Sequence, residues 1–276
     1  MKRMLKLQMA VSMSTLLITT LLPVSVVART NVVSNAGQRI GTLEEAKTLV
    51  GSDLKDNKNQ SLGKIEDLVV DLESGQLLYG IASAKGASDH FAIAPTILVP
   101  QANGKGATIS VDQAKLAAAP KVDAARENQL GDTAFIGQVF QYYGVPTWWE
   151  SQNAGSFNNV HKVSTLSGQT VKNVSNADLG KLDDVIVDLQ AGRIPFAILT
   201  TTANATYAIP PNAFTLGADK QTLTTGLDQN TLNSAPRYTK GNVQTLANRG
   251  TATAIYSHYG KQAYFNGPEG LSPTGR

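Results

Sequence analysis

Seven carboxylates in this chain come nearest to a catalytic or metal-binding set, and they recur in two similar stretches. They are Glu66, Asp67, Asp71 and Glu73 in the first stretch and Asp183, Asp184 and Asp188 in the second. In a strand, Asp67 and Asp71 lie on one face about 13 Å apart, at ~3.3 Å per residue. A glycosidase carboxylate pair needs about 5–9.5 Å. We therefore expect Asp71 and Asp188 to accept backbone hydrogen bonds at a turn. A calcium site built from Asp71, Glu73 and nearby carbonyls is the alternative.

Other chemistry-bearing residues are sparse. The three histidines, His90, His161 and His258, show no metal-binding spacing, and the chain has no cysteine. A zinc site, a thiolate nucleophile and a disulfide therefore find no sequence support. Nucleophile-elbow, Walker and dinucleotide-binding motifs are also absent from the sequence. We predict no catalytic residue, no metal and no cofactor, and hence a protein that is not an enzyme.

The two acidic stretches belong to an internal duplication. Leu62–Ile81 (LGKIEDLVVDLESGQLLYGI) returns as Leu179–Ile198 (LGKLDDVIVDLQAGRIPFAI), with nine of twenty positions identical. The correspondence extends through later segments at an offset of 116 or 117 residues, a period that suits two small domains better than a solenoid. The predicted boundaries are 1–28 for a signal peptide, 29–46 for an N-terminal segment, 47–151 for domain 1, 152–162 for a linker, 163–267 for domain 2 and 268–276 for a tail.

The sequence of each copy predicts a mainly β structure. Apolar runs on both sides of Gly75 and of Gly192 predict a hairpin in which glycine takes a left-handed turn conformation. Pro195 lies in the return run of the second hairpin and indicates an edge strand or a bulge. A helix should follow each set of strands, with Asp112 or Asp228 as its cap. The predicted fold is two small β-barrels, each followed by a short helical tail.

These residues resemble a known family. The pattern of Leu62-Gly63, Asp67–Asp71, Gly75 and Phe91–Pro95, with its second copy, is similar to the PRC-barrel domain. The resemblance implies a compact β-barrel that acts in docking or assembly, as in exported bacterial proteins of this group. It supplies no catalytic residue to carry over.

The amino terminus resembles an export signal. Lys2, Arg3 and Lys6 precede the uncharged run Met9–Val27, and small residues near Ala28 suit a signal peptidase. An uncleaved membrane anchor is the alternative. Cleavage after about Ala28 would leave 21 basic residues against 21 acidic ones, instead of 24 against 21. That balance does not favour nucleic acid as a partner, and we expect a periplasmic or secreted protein without a membrane span after cleavage.

Aromatic residues cluster late in each copy. The candidate docking patch consists of Tyr142, Tyr143, Trp148, Trp149, Tyr259, Tyr264 and Phe265. One interpretation is that these rings pack in the core. The other is that they bind a partner, since Trp and Tyr are enriched at interface hot spots. The preferred function is a non-catalytic docking or assembly module that contacts another protein or itself. The alternatives are a small-ligand or metal-binding envelope protein using a groove between the copies, and an enzyme with an unrecognised carboxylate site.

Overall fold

The computed structural model describes residues 39–101, 105–123, 126, 129–147, 157, 159–217, 219 and 221–266. The first half contains β1 Glu44–Glu45, α1 Ala46–Leu49, β2 Asp53–Asp56, β3 Ser61–Asp71, β4 Gln76–Ala84, β5 His90–Ile93, β6 Val99–Pro100, β7 Ala107–Ile109, α2 Gln113–Ala117 and α3 Thr133–Tyr143. The second half contains β8 Val160–Lys162, α4 Val163–Leu166, β9 Thr170–Asn173, β10 Asp178–Asp188, β11 Arg193–Thr200, β12 Thr206–Ile209, β13 Phe214–Leu216, β14 Thr222–Thr225, α5 Gln229–Ser234, α6 Val243–Leu246 and α7 Arg249–His258. Strands predominate, so the predicted mainly β fold is confirmed.

Both halves use the same strand pairings. A long hairpin, β3–β4 or β10–β11, lies at the centre of each half, and β5 or β12 extends it on one side. On the other side β2 or β9 pairs with the hairpin and then, in parallel, with β7 or β14. A further antiparallel strand, β6 or β13, completes each set. The sheet of each half curls as in a small barrel, and the duplication seen in the sequence is a duplication of structure.

The hairpin turns depend on glycine and aspartate. Gly75 and Gly192 have φ of 68° and 61°, in the left-handed region that favours glycine. Asp71 Oδ2 accepts a hydrogen bond from Ser74 N at 2.9 Å, and Asp188 Oδ1 accepts one from Ala191 N at 3.1 Å. These turns meet between the halves, where Leu77 N donates to Gly192 O and Ile194 N donates to Gly75 O, both at 2.9 Å. The junction is therefore itself two-fold symmetric in its hydrogen bonding.

Each half sends its leading segment across to the other. We call Leu43–Leu49 arm 1 and Val160–Leu166 arm 2; they occupy equivalent positions at the 117-residue offset. The β1 strand of arm 1 pairs with β10, and the β8 strand of arm 2 pairs with β3. The α1 and α4 turns then pack against the same strands. The exchange is reciprocal, so each sheet is completed by a strand from the other copy.

One apolar core runs through both halves. It joins Leu68, Val70 and Leu77 of the first copy to Val187 and Ile194 of the second, all of them fully buried. A second, smaller core lies beneath α3 on the first copy. Packed side chains thus fill the junction between the copies. A small-ligand or metal-binding protein, the alternative function drawn from the sequence, would have its groove at this junction.

Two local features differ in detail from the sequence predictions, and a third decides between two of them. β8 occupies residues 160–162, inside the predicted linker 152–162, because it finds a partner strand in the first copy. Where the sequence predicts one further helical stretch, at about Gln244–Tyr259, the structure has two helices, α6 and α7, and Asn248 caps the second of them. Pro195 lies in β11, which pairs on both sides, and the β10–β11 register shifts between Ile186 and Asp188 beside it. Of the two readings of Pro195, the bulge describes the structure.

None of the helices within the described residues is long and apolar enough to cross a membrane. The predicted signal segment, residues 1–28, lies outside the described residues.

Candidate docking surface

The α3 helix positions the aromatic end of the first copy. Asp132 begins the helix, and its side chain accepts hydrogen bonds from the backbone amides of Ala134 and Phe135 at 2.9 and 3.4 Å. Gly144 ends it with φ of 68°. The buried face of α3 consists of Phe135, Ile136, Val139 and Phe140, and it packs on β4 and β5. That packing fixes where the last turn of the helix, with its two tyrosines, emerges.

Tyr142 and Tyr143 lie at that last turn and are half-buried. Their rings meet edge to face, with centroids 5.0 Å apart. The Tyr142 hydroxyl donates to Lys115 O at 2.6 Å, and the Tyr143 hydroxyl donates to Ala92 O at 3.2 Å. Lys115 Nζ also lies 5.7 Å from the centroid of the Tyr142 ring. The two rings are held at both edges while part of their surface stays open to solvent, the arrangement of a preorganised aromatic contact.

Two further members of the predicted patch, Trp148 and Trp149, lie outside the described residues. They follow Tyr143 by five and six positions along the chain. Their part in a docking surface stays a prediction from the sequence.

The aromatic end of the second copy is packed differently. Tyr259 is 7% exposed and Phe265 is fully buried, so neither offers a surface to a partner. The Phe265 ring meets Tyr256 edge to face at 5.4 Å, and Tyr256 meets Phe196 at 5.7 Å. For Tyr259 and Phe265 the core interpretation therefore describes the structure, and they do not belong to a docking surface.

Tyr264, the remaining member of the predicted patch, is half-buried. Its ring lies 5.1 Å from the Arg193 guanidinium and meets Phe265 edge to face at 5.1 Å. Its hydroxyl is buried without a hydrogen-bond partner among the described residues. Burial raises the pKa of Tyr264 and, for the same reason, lowers the pKa of Arg193. This tyrosine serves the junction between the copies more than an external surface.

The duplicated carboxylates connect the copies. In the first copy, Asp67 Oδ1 accepts from Ser164 N of arm 2 at 3.1 Å, and Asp67 Oδ2 accepts from the Ser164 hydroxyl. Asp71 Oδ1 accepts from Asn159 N at 3.2 Å. Asp67 and Asp71 are 6% and 2% exposed. Both side chains use their oxygens on backbone amides and a hydroxyl, so their role in the described structure is to fix arm 2.

In the second copy Asp184, the equivalent of Asp67, holds arm 1. Asp184 Oδ1 accepts from Lys47 N at 3.1 Å and from Val185 N at 2.8 Å, with Lys47 Nζ 3.8 Å from Oδ2. Burial outweighs these contacts and raises the pKa of Asp184 to about 6. Burial also raises the pKa of Asp188 to about 6, against hydrogen bonds from the hairpin amides that lower it. Such shifts also occur at catalytic sites, but here their largest cause is burial in the packed structure.

Histidines and other ligand types are dispersed. His161 Nε2 lies 2.8 Å from Asn159 Oδ1, and His258 Nε2 lies 2.9 Å from Thr231 O. His90 is exposed at the start of β5. Across the part of the chain that the structure describes, no three histidine, aspartate or glutamate side chains come together as a metal-binding group.

The contacts of the arms are the functional feature that the motif search missed. Lys47, Ser164 and Asn159 belong to no chemical motif, yet each of them bonds a repeated aspartate across the junction. A signal did exist in the sequence, because Leu49 and Gly51 recur as Leu166 and Gly168 at the 117-residue offset. The duplicated unit therefore begins before the segment of highest identity.

The fold and this surface define a duplicated β-barrel protein whose halves exchange strands and whose first half carries a half-buried aromatic end. Comparison with known families gives the class a name. Residues 158–229 match the family model described as PRC-barrel domain, which supports the resemblance seen in the sequence. The matched residues include β8 and α4. Arm 2 therefore belongs to the matched domain, although its strand pairs with the first half. No curated protein matches this chain.

Proposed function

We propose that this chain is an exported, non-catalytic module of the periplasm or cell envelope that docks or assembles with another protein. The PRC-barrel domain is a general β-barrel module often used in protein interactions, and residues 158–229 match its family model. The signal-like amino terminus supports the location. The repeated carboxylates support the non-catalytic role, because Asp67, Asp71 and Asp184 accept hydrogen bonds from the other copy.

The observation that carries the proposal is a difference in burial between the equivalent aromatic ends of the two copies. Tyr143 and Tyr259 occupy matching positions in the duplication, but Tyr143 is half-buried beside Tyr142 whereas Tyr259 is buried. The residue before each also differs, because His258 stands in the second copy where Tyr142 stands in the first. The aromatic end of the second copy is therefore more deeply buried than that of the first. This difference supports a docking face on the first copy, for which the sequence predicts Trp148 and Trp149 as anchors.

The test separates docking from core packing. The double substitution Trp148→Ala, Trp149→Ala should leave the melting temperature close to that of the wild type. It should remove the partner recovered by crosslinking in intact cells and mass spectrometry. Phe265→Ala serves as the opposite control, since truncating a fully buried ring should destabilise the protein by about 3–5 kcal/mol. Loss of folding in the double tryptophan variant would assign these rings to the core and remove the proposed surface.

A further inference from the structure

We propose that the two halves of this chain are binding partners in their own right. The reciprocal exchange of arms 1 and 2 would keep them together as a specific complex when the polypeptide between them is cut. Each half would then recognise a second copy of its own fold, and the covalent connection would raise only the local concentration of the partner. The proposal is independent of the docking function above.

The contacts of arm 2 form the first side of the interface. Ser164 gives Asp67 two hydrogen bonds, one from its backbone amide and one from its hydroxyl. Asn159 O accepts from Leu72 N at 3.0 Å, so the chain is bonded to the hairpin just before the arm begins. Val163 and Leu166 are 1% and 0% exposed in the shared core. Arm 2 is thus held by strand pairing, by hydrogen bonds to the buried carboxylate of Asp67 and by its own two apolar anchors.

The contacts of arm 1 repeat this arrangement on the other side. Ala46 and Leu49, the counterparts of Val163 and Leu166, are 0% and 1% exposed. Glu45 Oε1 accepts from the Tyr238 hydroxyl at 3.0 Å and from Gly241 N at 3.3 Å. The two arms are therefore equivalent in their apolar anchors and in the backbone amide that each gives to a repeated aspartate, and they differ in their other polar contacts.

The polar differences give the exchange its specificity. The position equivalent to Tyr238 in the first copy is Val122, which has no hydroxyl to offer Glu45. Arm 1 placed on its own copy would leave that carboxylate without this donor, at a cost in affinity. For arm 1, the contacts thus favour packing on the other copy over packing on its own copy.

The matched family segment supports the same conclusion. It starts at residue 158 and so counts arm 2 as part of the second domain, although the β8 strand of that arm pairs with β3 of the first half. A domain that gives its own segment to an equivalent neighbour and takes the equivalent segment back has the form of an exchanged dimer. All the contacts named above join described residues on either side of residues 148–156, so they survive a cut there.

The experiment cuts the folded full-length protein. A protease recognition sequence is inserted between Gln152 and Asn153, and cleavage is verified on a denaturing gel. At ~1 µM protein the two pieces should co-elute in gel filtration without denaturant, at the volume of the uncut chain. If the inserted site resists cleavage, joint production of the two pieces as separate chains gives the same readout. Pieces that elute separately overturn the proposal.

A matched pair of variants assigns the association to the arms. In the cut protein, Asp67→Ala removes the acceptor of both Ser164 hydrogen bonds and should raise the dissociation constant of the pieces by about tenfold or more. Asp53→Ala removes only the exposed ion pair with Lys64 inside the first half and should leave the dissociation constant unchanged. If Asp67→Ala impairs folding of the uncut chain, Ser164→Ala is the milder variant, since it keeps the backbone donor. Equal dissociation constants for the arm and control variants contradict the assignment.

Discussion

Asp184 is a buried carboxylate where arm 1 meets the second copy, and its replacement by asparagine should remove a pH-dependent loss of stability. The side chain is 2% exposed. Both backbone amides that bond it, those of Lys47 and Val185, donate to the same oxygen, Oδ1. Oδ2 is buried and accepts no hydrogen bond within the described residues. An asparagine can therefore keep both hydrogen bonds on its Oδ1 and place its uncharged amide group where Oδ2 lies.

The magnitude follows from the shift in pKa. Burial, partly offset by the hydrogen bonds and by the Lys47 charge, raises the pKa of Asp184 from 3.8 to about 6. The folded state therefore holds the proton more tightly than the unfolded state. Stability associated with this group is present below about pH 4 and is lost as the pH rises through 6. At 1.36 kcal/mol for each pKa unit, the loss between pH 4 and pH 7 amounts to about 2–3 kcal/mol.

Urea unfolding at several pH values measures this effect as a difference between two proteins. The free energy of unfolding of Asp184→Asn, minus that of the wild type, should increase by about 2–3 kcal/mol from pH 4 to pH 7. Asp183→Asn is the neighbouring control. Burial raises the pKa of Asp183, but Lys240 and Lys47 outweigh it and lower the pKa overall. The control should therefore become less stable than the wild type as the pH rises. A difference for Asp184→Asn that is constant between pH 4 and pH 7 would refute the reasoning.

Two further predictions concern packing and a buried hydrogen bond. Gly180→Ala should destabilise the protein by more than about 2 kcal/mol, because the new Cβ would lie 2.2 Å from a backbone carbonyl of the next strand. Gly226→Ala, where the space is open, should be nearly neutral in the same thermal melt. Tyr256→Phe should cost about 1 kcal/mol because its hydroxyl donates to Pro195 O at 2.8 Å. Tyr259→Phe should cost nothing, since that buried hydroxyl has no partner among the described residues; equal losses in the two phenylalanine variants would contradict this assignment.

Local rules were enough to predict the elements that carry the repeat. The hairpin turns at Gly75 and Gly192 have the left-handed backbone that their sequence indicates. Asp112 and Asp228 accept from backbone amides three residues later at 2.7 Å, as helix caps do. Pro195 accompanies a change of strand register. In each case the determining interaction lies within a few residues of the side chain that signals it.

Long-range pairing was beyond these rules. Ser164 and Asp67 are 97 residues apart, and Lys47 and Asp184 are 137 apart. No local pattern indicates which sheet a short strand such as β8 will join. Because β8 lies in a polar segment, the sequence predicted a linker there. The aromatic ends illustrate the same limit, because Tyr143 and Tyr259 are identical residues whose burial is set by their different neighbours. Composition could identify the aromatic set but not divide it between core and surface.

The central claim is that the partner meets the aromatic end of the first copy, and site-specific photocrosslinking in intact cells tests it most directly. A photoreactive side chain is placed at Tyr142 in one variant and at Val174 in another. Val174 is 83% exposed in the second copy and serves as the accessible control. The account predicts a discrete crosslinked protein from position 142 that is absent from position 174 and is lost when Trp148 and Trp149 are replaced by alanine. The same product from both positions, or none from position 142, would contradict it.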